Sequence, residues 1–491
     1  MTAVAHVKQE FLGLERSIVV DDGLQDVRPF NRVLESMIPK ESAEHRAERH
    51  EGVRRDLDGG LVGHGTSLRE CRRIPRTVFF GPSRRLRAMS TRVLAFEAWD
   101  AGSHRAVRRS IEHHGTMGWH FLTLPGRSPK WRLRHAALRF SELVRDGMGG
   151  GGEPPFPLLD ADAIVATGML SASDLRATLP RPLRDRPLIL SMHENQIAYP
   201  TSDGGKAVDR DRDAHLAFTN LASIEAADRV VWNSRWNLES FVTGMRNILS
   251  HAPEPLGGRW EDRLRDRSVV VPPPVEFDEV EDATVLHNNG EDSYSGEDGR
   301  PDDLIRVAWP HRWEHDKGCD EFLRLADEAW RREQDGGPAI RWVILGQPRQ
   351  TVPDALKTLL ERHDSRVEQA ASLPRRDYLQ RLAACDWVLS TATHEFFGLA
   401  VAEALIAGCR PWLPDRLSYP ELVPTDAIGL DPWSDPGWNA TDERKPTTPE
   451  AESLQARIRA RLEPARAANA VKRLETIVQA SIDAAVDETN S

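Results

Sequence analysis

The sequence predicts an α/β protein built from two doubly wound parallel sheets in tandem. Short runs rich in Val, Ile, Leu and Trp alternate with longer stretches of helical periodicity. Strands that are apolar on both faces are typical of a parallel sheet covered by helices on both sides. Because ligands of such sheets bind beyond the carboxyl ends of the strands, we expect the two domains to share a binding cleft.

The domain boundaries follow from changes in this pattern. Residues 1–88 are rich in Arg, Glu and His without a sustained period, which predicts a poorly ordered extension, and Met89 is a candidate start of the chain. The stretch 276–303 is strongly acidic and is expected to be a disordered linker. The predicted units are 1–88, the extension; 89–275, the first domain; 276–303, the linker; 304–435, the second domain; and 436–491, a linker and closing helix.

The individual elements follow in chain order from period and composition. Strands are predicted at 92–97, 119–124, 163–167, 187–191, 229–233, 268–271, 304–309, 340–345, 386–391 and 410–413. Helices are predicted at 104–114, 234–249, 319–333, 375–384, 398–407 and 449–485.

Composition excludes several classes of protein. The 491 residues carry a net charge of −11, which argues against general nucleic-acid binding but leaves room for a local basic patch. No run of eighteen apolar residues and no secretory signal are visible, so we expect a cytoplasmic protein without a membrane span. Four cysteines without a CxxC pair argue against a disulfide scaffold and a structural zinc site. The segment 96–104, where the first strand meets its helix, is not GxGxxG, and no P-loop pattern occurs, so nicotinamide and P-loop interpretations lack support.

The segment 391–409 predicts a diphosphate site. A strand ends at Thr391, and Gly398 opens a helix whose first amides, at Leu399 and Ala400, would face an anion. Glu395 and Glu403 stand before and behind this position and suit the hydroxyls of a sugar and a ribose. The alternative is that the two carboxylates cap the helix and interact with its dipole.

A second loop, 309–318, contributes cations at the end of a strand. Arg312 and Lys317 could stabilise the charge that builds on a departing nucleoside diphosphate. The alternative is that both are solvated loop charges, the commoner fate of Lys and Arg.

Polar residues also follow two strands of the first domain. His193, Glu194 and Asn195 come directly after the strand 187–191, where His193 could contact a sugar hydroxyl or the reacting centre. A single histidine is more often structural than catalytic. Gly102 permits close approach of the backbone, and Ser103 could cap a helix.

Cations alternate with a tryptophan in the stretch 130–139. Lys130, Arg132 and Arg134 lie next to Trp131, as contacts to a phosphate backbone require. The alternative is an ordinary exposed helix face.

Longer strings within these segments resemble the tRNA-queuosine α-mannosyltransferase family, which has the GT-B fold. The resemblance extends over about residues 92–430 and departs from the family's usual Gly-Gly-Ser-His at Ala101. The general likeness to GT-B enzymes rests on Glu395 and Glu403 with Gly398 between them, and on Arg312 with Lys317. The strings that carry the narrower resemblance are Ala101-Gly-Ser-His104, Lys130-Trp-Arg-Leu-Arg134, His193-Glu-Asn-Gln196 with Tyr199-Pro200, Trp309-Pro-His-Arg-Trp-Glu-His-Asp-Lys317, His394-Glu-Phe-Phe-Gly398 and Pro414-Asp-Arg-Leu-Ser-Tyr-Pro-Glu421.

The resemblance implies two Rossmann-like domains and the transfer of mannose from GDP-mannose to queuosine in a tRNA anticodon, with retention of configuration. Retention in this fold needs no protein nucleophile, because the leaving phosphate can accept the proton of the incoming hydroxyl. No cofactor and no metal are expected. The implied catalytic residues are His193, Arg312, Lys317 and Glu395; the donor contacts also include Gly102, Ser103, Gly398, Leu399, Ala400 and Glu403; the acceptor contacts are Lys130, Arg132, Arg134, Glu194 and Asn195.

Three alternatives stay open at this point. One is a GT-B glycosyltransferase with a small-molecule or lipid-linked acceptor, which would share the same donor site. Another is a sugar-nucleotide epimerase of the same fold, and the third is a protein that binds nucleotide or RNA without turnover. The residues do not indicate the oligomeric state.

Overall fold

The computed structural model describes residues 91–147, 156–198, 210–254, 256–290, 304–346, 348, 351–370, 372–434 and 449–490. The predicted extension with Met89, the second half of the acidic linker and the linker 436–448 lie outside the described residues. The described residues belong to one compact unit of the chain, Arg85–Ser491.

The first domain is built on a six-stranded parallel sheet. Its strands are β1 (Arg92–Asp100), β2 (Gly118–Pro125), β3 (Ala163–Thr167), β4 (Leu188–Met192), β5 (Arg229–Trp232) and β6 (Ser268–Val270). Their order across the sheet is β2-β1-β3-β4-β5-β6, and every pairing is parallel. The carboxyl ends of all six strands therefore lie at one edge.

The second domain has a five-stranded parallel sheet. Its strands are β7 (Leu304–Trp309), β8 (Ala339–Ile344), β9 (Val367–Gln369), β10 (Trp387–Leu389) and β11 (Arg410–Trp412). They are ordered β11-β10-β7-β8-β9, so β7 and β10 are neighbours. The predicted strands are present to within three residues at either end, whereas the short strand β9 was not predicted.

Helices cover both sheets, as the alternating pattern predicts. They are α1 (Gly102–His114), α2 (Pro129–Arg145), α3 (Ala172–Thr178), α4 (Arg181–Arg184), α5 (Arg210–Ala226), α6 (Arg235–Leu249), α7 (Arg259–Arg267), α8 (Phe277–Asn288), α9 (Cys319–Gln334), α10 (Asp354–Arg362), α11 (Arg375–Ala383), α12 (Leu399–Ile406), α13 (Tyr419–Leu422), α14 (Pro449–Leu462) and α15 (Ala467–Asn490). Each sheet is buried between two apolar clusters, one on each face.

The prediction of a disordered linker from residue 276 is wrong for its first half. Residues 277–288 form α8, and its apolar side chains Phe277, Val280 and Ala283 recur every third residue on one face. That face is buried in an apolar cluster of the second domain. The acidic composition of the segment concealed this periodic apolar face.

The closing helix is also different from its prediction. The run 449–485 is divided into α14 and α15 by a 3-10 turn, Glu463–Ala465, which contains Pro464. Helix α15 returns to the first domain, where Val471 and Val478 pack in one cluster with Val93 of β1. The end of the chain therefore contributes to the core of the first domain.

Two further findings concern cysteines and membranes. Cys319, Cys385 and Cys409 are buried and form no disulfide, while Cys71 lies outside the described residues. Within the described part of the chain, no helix combines the length and the hydropathy that crossing a bilayer requires.

Candidate functional site: two facing loops of the second domain

The loops that follow β7 and β10 meet at the carboxyl edge of the second sheet. Because β7 and β10 are neighbours, Lys317 and Glu395 come from adjacent strand ends. Several hydrogen bonds fasten the two loops together: Thr391 Oγ1 donates to Lys317 O (2.7 Å), Thr393 N donates to Asp316 O (2.9 Å), and His311 Nε2 pairs with Ser390 Oγ (2.9 Å). The two predicted segments thus form one structural unit.

Lys317 is the buried cation of this unit. Its side chain lies 3.1 Å from Asp316 Oδ2 and 3.4 Å from Glu395 Oε2, and it donates to His394 O at 2.9 Å. Burial of the ammonium would lower the pKa of Lys317, but the Glu395 and Asp316 carboxylates outweigh it and raise that pKa. Although burial raises the pKa of Glu395, the charge of Lys317 lowers it. The pair is therefore ionised at neutral pH.

Two histidines in the same unit are neutral. Burial and the charge of Lys317 lower the pKa of His311 to about 3 and that of His394 to about 4. The positive charge available to an anion therefore comes from Lys317 and Arg312.

Two glycines shape the backbone around the cation. Gly318 adopts φ +65°, and a Cβ there would lie 2.0 Å from Thr391 O. Gly398 adopts φ +91° directly before α12, whose first amides, including those of Leu399 and Ala400, have no partners within the helix. This arrangement can accept a phosphate beside Lys317.

Arg312 and Glu403 lie at the periphery of this unit. The Arg312 side chain is 50% exposed, and its guanidinium is 3.2 Å from Glu314 Oε2. Glu403, on α12, pairs at 2.6 Å with Arg375 of α11, a partner that sequence reasoning did not predict. Any ribose hydroxyl at Glu403 would therefore share the carboxylate with Arg375.

In the first domain, His193 lies at the end of β4 beside a buried Glu–His pair. Its ring is 4.6 Å from that of His104, whose Nδ1 lies 3.1 Å from Glu97 Oε2. Burial and the charge of His104 lower the pKa of His193 to about 3, so its imidazole is neutral. The sequence predicted site residues at the neighbouring Gly102 and Ser103, but it did not indicate a role for Glu97 or His104. The position of Glu97 near the carboxyl end of β1, where ligands of such sheets bind, could have indicated a site residue.

These three side chains are also the group of described residues that could hold a metal ion. One ligand atom from each of Glu97, His104 and His193 lies within 4.8 Å of the others. The Glu97 carboxylate already accepts from Trp99 N (2.7 Å) and Thr167 Oγ1 (3.2 Å) as well as contacting His104. Its negative charge therefore has protein partners, and the expectation of no metal stays a prediction.

The structure corrects two predicted acceptor contacts. Arg132 is only 8% exposed and donates twice to Pro125 O, at 2.9 and 3.2 Å, so it fixes the end of β2 instead of facing solvent. Asn195 is fully buried and donates to Asn237 Oδ1 at 2.8 Å. Both side chains are therefore occupied by the protein itself.

The other predicted contacts of the first domain lie near the starts of α1 and α2 and directly after β4. Gly102 adopts φ +52° with open space where a Cβ would be, and Ser103 is exposed and does not cap α1. Glu194 accepts from Gln196 Nε2 at 3.0 Å. Lys130 lies in the first turn of α2, and Arg134 is exposed on the same helix.

Sequence comparisons with known proteins identify the family of this chain. Residues 92–275 match the family model for the tRNA-queuosine alpha-mannosyltransferase N-terminal region. A Drosophila melanogaster protein named tRNA-queuosine alpha-mannosyltransferase is 30% identical over 342 residues, covering 68% of this chain and 82% of that protein. The chain belongs to the tRNA-queuosine alpha-mannosyltransferase family. It is a glycosyltransferase, as the sequence predicted.

Solved structures with a similar fold support the architecture. The N-terminal domain of Candida albicans trehalose-6-phosphate phosphatase has a TM-score of 0.55 at 11% identity, covering 79% of this chain and 98% of that one. A UDP-forming alpha,alpha-trehalose-phosphate synthase from Burkholderia vietnamiensis has a TM-score of 0.54 at 12% identity, covering 81% and 100%. The predicted GT-B fold is confirmed.

Proposed function

We propose that this glycosyltransferase moves mannose from GDP-mannose to the cyclopentenediol of queuosine in a tRNA, with retention of configuration. The observation that carries the proposal is the Lys317–Glu395 pair beside the start of α12, in a member of this family. A tRNA acceptor agrees with the cytoplasmic location expected from the sequence.

The donor would lie against the two fastened loops of the second domain. Lys317 and Arg312 would neutralise the diphosphate, and the amides at the start of α12 would donate to its oxygens. Glu395 would accept from sugar hydroxyls. As the acceptor hydroxyl attacks the anomeric carbon, the bond to the diphosphate breaks, and the leaving phosphate takes the proton of that hydroxyl.

The first domain would receive the tRNA at the start of α2. Trp131 is 60% exposed there, and Arg127 and Arg134 are exposed beside it. An exposed indole between guanidinium groups suits an unstacked base and its phosphates, as in an anticodon loop. Because α2 begins only a few residues after β2 ends, this surface lies at the carboxyl edge of the sheet.

The function is tested by incubating the purified protein with queuosine-containing tRNA and a panel of nucleotide sugars. We expect nucleoside mass spectrometry to show queuosine heavier by one hexose, with GDP-mannose the preferred donor. Hydrolysis of the donor without a tRNA product would favour a small-molecule or lipid-linked acceptor. Release of an isomerised sugar would favour an epimerase, and binding without turnover would contradict an enzymatic role on this acceptor.

Replacement of Trp131 and Arg134 by Ala should weaken tRNA binding by at least tenfold. The lost stacking contributes about 1–3 kcal/mol per base, and one lost phosphate contact lowers the salt dependence of binding. Affinity for GDP should not change, since the donor loops lie on the other domain.

Trp330→Ala is the matched control for this double variant. Trp330 is 50% exposed on α9 of the second domain, so its removal deletes an indole of comparable exposure outside the proposed surface. The measurement is filter binding at several salt concentrations. Equal tRNA affinity in the double variant and the wild type would show that this surface does not bind tRNA.

A further inference from the structure

The two domains touch where helix α6 begins. Ser234, the residue before α6, donates from Oγ to Phe396 O at 2.5 Å. The amides of Arg235 and Trp236 donate to the two carboxylate oxygens of Glu421, at 2.9 and 2.7 Å. We call these three contacts the interdomain joint.

On the second domain, the joint is fastened to the loop that carries Glu395. Three side chains from the segment that ends at Glu421 hold this loop: Arg416 donates to Thr391 O (3.0 Å) and Ala392 O (3.1 Å), Ser418 Oγ donates to Phe397 O (3.0 Å), and Tyr419 OH pairs with Ser390 Oγ (2.5 Å). Glu421 therefore cannot move far without moving the loop that carries Glu395.

On the first domain, the joint is fastened to the loop that carries His193. Asn233 Nδ2 donates to His193 O at 2.7 Å, and Asn237 Nδ2 donates to Met192 O at 2.9 Å. The neighbouring residues Asn233 and Ser234 thus hold the backbone at His193 and the carbonyl of Phe396. The two loops with candidate reacting groups are linked through one short stretch of chain.

The interdomain joint consists of hydrogen bonds, two of which give the first amides of α6 a partner. The first amides of a helix have no partners within it, and the positive end of the helix dipole favours a carboxylate such as that of Glu421. Among the described residues, no buried apolar cluster contains side chains from both sheets. Helices α14 and α15 also join the domains, since Leu462 packs in a cluster of the second domain and Val471 in one of the first. The interdomain joint adds described contacts that link the His193 loop to the loop that carries Glu395.

We propose that Ser234 and Glu421 are positioning residues for sugar transfer. They hold the loop that carries His193 against the loop that carries Glu395. Group transfer needs donor and acceptor at near-attack distance, and the two substrates would bind to different domains. Loosening the joint therefore lowers the rate of transfer more than the affinity for the donor. This inference rests on the proposed function for its kinetic readout, but not for its geometry.

The test uses the full-length protein and four variants. Ser234→Ala and Glu421→Ala remove the contacts across the domains, whereas Ser234→Thr keeps the hydroxyl and a residue type favoured before a helix. Asp426→Ala is the matched control, because Asp426 is an exposed carboxylate near Glu421 that pairs with Arg457 of α14 at 2.8 Å and does not reach the first domain.

We expect kcat for transfer to fall at least tenfold in Ser234→Ala and Glu421→Ala, with the Kd for GDP within twofold of the wild type. Ser234→Thr should restore most of the rate, and Asp426→Ala should leave it unchanged. Unchanged kcat in both Ala variants would overturn the proposal, as would a loss of GDP affinity in proportion to kcat.

Hydrogen–deuterium exchange separates this inference from the proposed function. If the wild type transfers no sugar to tRNA, the proposed function fails, and the joint is judged on exchange alone. Faster exchange in Glu421→Ala, both in the first turn of α6 and in the loop 390–398, supports the joint. Exchange equal to that of the wild type in both segments refutes it.

Discussion

Lys317→Met is expected to reduce sugar transfer by a factor of roughly 10²–10³, the usual cost of removing one group that stabilises developing negative charge. It should also destabilise the fold by about 3–5 kcal/mol, because Met leaves the Asp316 and Glu395 carboxylates without their buried cation. Rates of transfer and denaturant unfolding measure the two effects separately.

Arg312→Ala provides the control that separates charge stabilisation from folding. Arg312 carries the same charge as Lys317 but is half exposed, so its loss should reduce transfer strongly and leave unfolding almost unchanged. Near-normal turnover in both variants would show that the two cations do not hold the leaving diphosphate.

Gly318→Ala is expected to lower the free energy of unfolding by about 2–5 kcal/mol and to abolish most of the activity. A residue with a Cβ in the left-handed region destabilises the fold by about 1–2 kcal/mol, and overpacking adds about 1–3 kcal/mol. The clash here is with Thr391 O, which lies 2.0 Å from the position that a Cβ would occupy, and a backbone atom cannot rotate away. The two loops of the donor site would therefore separate.

Gly336→Ala isolates the effect of the clash. Gly336 adopts φ +87° in the turn after α9, and nothing lies within 4 Å of a Cβ there. This variant should be destabilised only by the left-handed conformation, about 1–2 kcal/mol, and it should keep full transfer activity. Equal loss of stability in the two variants, by chemical denaturation, would show that the contact between Gly318 and Thr391 does not constrain the loops.

The sequence predicted the sheets well because buried parallel strands have a simple apolar signature. It also placed Lys317 and Glu395 at the ends of predicted strands, but it did not determine that β7 and β10 are neighbours. Strand order depends on tertiary packing, which a single sequence does not display. The geometry of the donor loops therefore had to come from the structure.

Two of the errors had signals that could have been used. Arg132 lies four residues before the buried Ala136, so helical periodicity placed it on the apolar face of α2. Phe277, Val280 and Ala283 marked a helix within the acidic stretch. In both stretches the high density of charged residues masks the helical period of the apolar ones.

Other features had no local signal. The contact between Glu421 and Arg235 joins residues 186 positions apart, and nothing near either residue indicates its partner. The pairing of Glu403 with Arg375 is of the same kind, since it depends on how α11 packs beside α12. Such contacts follow from the fold as a whole.

Whether the loops after β7 and β10 hold the donor can be seen in a crystal structure of the protein with GDP. We expect the diphosphate within hydrogen-bonding distance of Lys317 Nζ, facing the amides of Leu399 and Ala400, with Arg312 turned towards it. GDP bound away from these loops, or held by the first domain alone, would show that they are not the donor site.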